Sequence, residues 1–168
     1  MGAGDNAQAV TTADQIVIAA EVTIDSPDFG HLEPMIAAAR ADLDYAGVTD
    51  RLEVVLADAG YWHQVQMQRL MSDGLQVLIP PDANKRKGER PGWHGGLYTF
   101  MRRVLATDLA RALPATPTPH RAGGPNTKFN RGIGRFHRPG RSAARTEWRL
   151  ITATHNLLKL HKHRTAAA

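Results

Sequence analysis

At 168 residues, 42% apolar and 22% charged, the chain has material for one modest core, which excludes a fully disordered polypeptide. With no cysteine there is no disulfide scaffold, thiolate zinc site or cysteine nucleophile, and no apolar run approaches the roughly 20 residues that span a bilayer. The net charge of +5 hides a polarity: residues 1–79 carry 3 basic and 12 acidic side chains, residues 80–120 carry 7 and 3, and residues 121–168 carry 11 and 1. A basic C-terminal part points to a polyanionic partner, for which a nucleic acid is the usual candidate and a solvated tail the plainer alternative.

The first half alternates strands and helices. Ala7 to Thr11 and Gln15 to Thr23 are β-branched or small and apolar around a polar turn at Thr12 to Asp14, which predicts an antiparallel hairpin. Asp25 to Asp28, with its proline, breaks the pattern. Leu32, Met35, Ile36, Ala39 and Leu43 then recur at helical spacing, predicting a helix to about Asp44. Leu52 to Leu56 is a short buried-type strand, expected in the same sheet as the hairpin. Tyr61 to Met71 is a helix closed by Gly74, and Leu75 to Ile79 a strand stopped by two prolines.

Residues 1–79 thus read as a core of order β-β-α-β-α-β. Residues 80–127 are expected to form a partly disordered Pro/Gly-rich insertion with one helix, Leu97 to Leu113, and residues 128–168 a basic segment ending in a helix of the same domain. Pro114, Pro117 and Pro119 reject helix and strand alike. Ser142 is placed to cap the final helix, which runs to about Lys162 with Trp148, Ile151, His155 and Leu158 on one face and Leu150 and Leu157 beside it.

Among residues that could carry chemistry, Asp58 stands out in Leu56-Ala-Asp-Ala-Gly-Tyr-Trp62. A carboxylate at the carboxyl end of a buried strand is rigidly placed while the next loop opens to solvent, which suits a metal or catalytic role; capping the following helix is the plain alternative. Tyr61 and Trp62 fit ordinary packing better than stacking on a nucleotide. The eight histidines lack ligand spacing except His161 and His163, which an i,i+2 placement points apart on a helix. Lys128, Arg131, Arg135, Arg138, Arg141 and Arg145, interleaved with glycine, are the candidate phosphate contacts.

Four blocks occur in one order: "DNAQAVTTADQIVIAAEVT", "LEPMIAAA", "EVVLADAGYW" and "KFNRGIGRFHRPGRSAARTEWRLITATHNLLKL". In this the chain resembles the C-terminal part of a bacterial insertion-sequence DDE transposase. The resemblance spans nearly everything except Pro80 to Asn126. It implies an α/β fold of the ribonuclease-H-like type, a mixed sheet with flanking helices, incomplete at the N-terminus, plus irregular basic segments. It also implies Mg2+ or Mn2+ on three carboxylates, DNA at the element's inverted-repeat ends as substrate, a homo-oligomer, and a cytoplasmic, nucleoid-associated location. Asp58 matches the family's second catalytic aspartate and would be a metal ligand. The family's first aspartate lies upstream of the region matched here, and residues 4 to 8 look like its Gly-Tyr-Asn-x-Gln block with Asp5 replacing the aromatic. Truncation, with an exposed strand edge, is the expectation.

The third carboxylate should precede "TKFNRGIGRF" on a helix, where this chain has proline-rich Leu113 to Asn126. Read one base forward, Leu113-Pro114 admits Tyr, Arg121-Ala122 admits Glu and Ala122-Gly123 admits Pro, which keeps the family's Tyr-to-Glu spacing. A frameshifted, catalytically inactive copy is therefore expected, with an in-frame proline-rich linker as the alternative. The competing functions are a DDE enzyme and a non-catalytic DNA-binding remnant; a small α/β protein with an unrelated ligand would make the four blocks coincidence.

Overall fold

The computed structural model describes residues 6–23, 28–82, 93, 95–107, 136 and 140–166. Strands β1 (Asn6–Thr11) and β2 (Val17–Thr23) form the expected antiparallel hairpin, in register from Asn6 opposite Thr23 to Ala9 opposite Ala20, with an irregularity between Val10 and Thr11. Its turn is closed by Thr12 and Ile16, whose backbones meet at 2.8 Å, and Gln15 takes a left-handed φ of 65° to complete it.

The hairpin is rich in alanine because both its faces are covered. Side chains alternate along a strand, so Ala19 meets Met35 and Ala39 of helix α1 (Leu32–Tyr45), while Ala9, Ala20 and Val22 meet Ala144 and Trp148 of helix α4 (Arg141–Ala166). Helix α1 also turns Leu32 and Ile36 into a second, larger core. That core is built on the parallel pair β3 (Val54–Leu56) and β4 (Gln76–Leu78), helix α2 (Gln64–Ser72) and helix α3 (Gly96–Leu105). The alpha/beta class follows. Val55, Val77 and Ile79 fill its centre with Met67, Leu75 and Met101.

Several expectations need correction. The strand ending at Leu56 lies in a different sheet from the hairpin: among the described residues β1 pairs only with β2 and β3 only with β4. Helix α1, packed on both, joins them without a shared strand. Strand β3 begins at Val54, leaving Leu52 as a packing residue between the cores. The second helix starts at Gln64 instead of Tyr61, since Asp58 first caps a short 3-10 turn (Ala59–Tyr61) and His63, in extended conformation, caps α2 anew with Nδ1 accepting from Gln66 N at 3.4 Å. Helix α3 ends at Leu105; residues 108–113 of the expected span lie outside the described residues. Ser142 is not a cap: the last helix starts at Arg141, behind left-handed Gly140, whose carbonyl accepts from Ala144 N. Leu158, expected on the packed face, is exposed along with Leu150 and Leu157. No helix among the described residues is long and apolar enough to cross a membrane.

Candidate functional site

Asp58 leaves β3 at its carboxyl end, and its side chain accepts from Gly60 N at 2.8 Å. The capping role is therefore real. It engages Oδ1 alone, and the residue remains partly exposed.

Asp28 comes to the same place from the loop before α1. It is buried, and its Oδ1 accepts from Asn6 Nδ2 at 2.8 Å and Gln8 Nε2 at 3.3 Å, both at the start of β1. The two carboxylates converge over Gly60, where an added Cβ would stand 2.9 Å from Asp58 Oδ1 and 3.0 Å from Asp28 Oδ2. A glycine is required there for space. Among the described residues, neither carboxylate is in an ion pair, whereas Glu33, Asp82 and Glu21 each have an arginine partner.

Two neighbours complete the site. Gln8 is fully buried, and while its Nε2 serves Asp28, its Oε1 has no hydrogen-bond partner among the described residues. Tyr61 is buried below the turn, and its hydroxyl is pushed far above the ordinary phenol range, first by burial and then by the negative charge of Asp28 and Asp58. Tyr61 and Trp62 are both buried, Trp62 in tilted and edge contacts with Trp93 and Tyr98, so this pair packs and offers no open face to a base.

Hard divalent cations take oxygen ligands, carboxylates and carbonyls included. Asp28, Asp58 and Gln8 carry oxygens of this class, though Gln8 turns its Nε2 toward Asp28. Among the described residues no group of three or more His, Cys, Asp or Glu side chains comes together that could hold a metal ion. The sequence placed Asp28 in the segment that breaks the strand pattern and Gln8 in the first strand, at the end of the Asn-x-Gln block, and neither with a role at the site. The usable signal was a long polar side chain set among alanines in a strand.

Of the candidate phosphate contacts, Lys128, Arg131, Arg135 and Arg138 lie outside the described residues. Arg141 donates to Val22 O at 3.4 Å, and Arg145 to Glu21 Oε1 at 2.6 Å, the oxygen that Arg149 also reaches at 2.7 Å. The structure thus gives Arg141 and Arg145 a part in holding α4 on β2, with the Arg145 and Arg149 side chains about half exposed. Beyond them Lys159, Lys162 and Arg164 continue the basic character of α4. His155 reaches Gln15 O at 2.9 Å, and His161 and His163 are exposed on the same helix.

No protein-family model, curated protein or solved structure matches this chain.

Proposed function

We propose that this chain is a DDE-type transposase protein, ribonuclease-H-like in fold, that holds DNA but does not cut it. The observation that carries the reading is Asp58 at the carboxyl end of a parallel strand, ahead of helix α2 and beside a second carboxylate. Strand ends of parallel sheets present side chains rigidly to solvent, where a phosphodiester could reach them. The element order and the long basic helix α4, whose only acid is Glu147, agree with the four sequence blocks.

Loss of cutting follows from the ligand count. In-line phosphoryl transfer by two ions needs carboxylates enough to clamp both, and the chain has no acid between Asp108 and Glu147. A cation bound at Asp58 would supply charge neutralisation for a phosphate oxygen. Asp58 would hold it with one oxygen while Gly60 N fixes the carboxylate through the other.

The test is fluorescence anisotropy of labelled duplex DNA with the full chain across a salt series, run beside a strand-cleavage assay in Mg2+ and in Mn2+. Sequence-independent binding is expected, its logarithmic salt slope falling by about 0.9 for each phosphate contact removed. Replacing Arg131, Arg135 and Arg138 together by Ala should weaken it. Absence of binding at low salt would overturn DNA as partner, and cleavage abolished by Asp58→Ala would overturn inactivity.

A further inference from the structure

We propose that copies of this chain associate head to tail, the leucine stripe on the outer face of α4 in one copy seating on the acidic carboxyl end of α1 in the next. The inference goes beyond the preceding reading and needs neither DNA nor a metal ion.

The outer face of α4 is the first observation. Trp148 packs on the hairpin, whereas Leu150 and Leu157, seven residues apart, lie on the opposite side of the helix, each 66% exposed, with Leu160 one turn beyond Leu157 at 53%. Single exposed leucines are ordinary, but a row of them along one helix face marks a contact surface. The helix around them carries six lysines and arginines to one acid, Glu147. Pairing two such helices would set like charges side by side, so the complement is an acidic surface with apolar side chains of its own.

The chain carries that surface at the end of α1. Asp42 and Asp44 occupy the last turn with no basic residue beside them in it, although the negative end of a helix dipole disfavours carboxylates. Between the flanking Arg40 and Arg51, Asp50 adds a third exposed acid, and Tyr45, 95% exposed, and Val48 project among them. Among the described residues none of the three aspartates is in an ion pair. The cations and leucines of α4 from another copy supply what this helix end lacks.

The two surfaces cannot meet within one molecule. Helix α1 covers one face of the hairpin through Met35 and Ala39, and α4 covers the other through Ala144 and Trp148, with the leucines turned away from both. Each copy therefore offers one surface of each kind, a heterologous contact that adds copies in a row instead of pairing off as a symmetric dimer.

The experiment is sedimentation velocity of the full chain over rising concentration at low and at high salt. The mean mass should rise past that of a dimer, and salt should weaken the contact, since the charges it joins are exposed. Leu150→Gln with Leu157→Gln, and separately Asp42→Lys with Asp44→Lys, should each weaken self-association about tenfold or more. Both pairs change exposed positions, and the lysines should raise the thermal stability of the unassociated chain by matching the α1 dipole. Mixed in equal amounts, the two variants should form a one-to-one complex and stop there, because each keeps one intact surface. A chain that stays monomeric at low salt up to roughly millimolar concentration would overturn the proposal. So would a mixture that stays monomeric, or a dimer that the leucine substitutions abolish and the lysine substitutions leave intact, which is the mark of α4 pairing with α4. A monomeric wild type that binds phosphatidylserine vesicles through the leucines would assign the stripe to a membrane surface and overturn it as well.

Discussion

The side-chain amide of Asn156 pairs with both backbone groups of Val17, accepting from its N and donating to its O, each at 2.8 Å. A helix side chain thereby does what a neighbouring strand would do at the first residue of β2. Sheet edges otherwise invite pairing with other chains. With Trp148 Nε1 donating to Gln8 O at 3.0 Å and Arg149 to Ala20 O at 3.4 Å, α4 is fixed to the hairpin by polar bonds as much as by its small apolar contact.

Asn156→Leu should therefore destabilise the fold by about 1–3 kcal/mol, since it strips partners from two backbone groups that are partly buried. Chemical denaturation measures this directly. A change near zero would mean that water replaces the amide freely.

Gly60→Ala should also be destabilising, by about 1–3 kcal/mol, for lack of space and not for backbone conformation, because its Cβ would press on both carboxylates. Gly47→Ala is a useful contrast: nothing lies within 4 Å of a Cβ there, and the cost comes from its φ of 71°. Unfolding of Gly60→Ala in the Asp28→Asn background should cost as much as in wild type if the clash is steric. A smaller cost would assign the effect to charge.

Tyr61 gives a pH prediction. Its hydroxyl is held protonated in the folded chain above the usual value of 10.0, by burial first and then by Asp28 and Asp58. The unfolded phenol ionises near that value, so the stabilisation is present below it and is lost as pH rises beyond it. Stability should fall above about pH 10, and Tyr61→Phe should flatten that decline. Absorbance titration should show Tyr61 resisting ionisation until the chain unfolds, an amplitude that Tyr61→Phe removes.

The hairpin, α1, α2 and both short strands were legible because periodicity and turn residues agree locally, as at Gly74, which closes α2 with a φ of 85°. What the sequence could not show is that the strands fall into two sheets, since pairing partners are set by contacts far apart in the chain. Asp58 was visible through its place after a buried strand. Asp28 and Gln8 were not, for their meaning comes only from being brought against each other. The same holds for Arg145, where a charge read as a phosphate contact turns out to face Glu21 across the α4 and β2 boundary.

That last pairing yields the most discriminating prediction about the basic face. Arg145 and Arg149 share one carboxylate oxygen of Glu21, and each arginine is about half exposed, so each pair contributes only about 0.2–1 kcal/mol to stability. A phosphate could compete for guanidinium groups held so weakly. Glu21→Gln removes the internal anion and frees both, which should raise affinity for duplex DNA and steepen its salt dependence, at a small cost in stability. If the arginines serve only to hold α4 on β2, the substitution should lower stability and leave the salt slope unchanged. Anisotropy titrations of Glu21→Gln at two or more salt concentrations separate the two outcomes, and a shallower slope than wild type would show that Glu21 orders the arginines for DNA instead of competing with it.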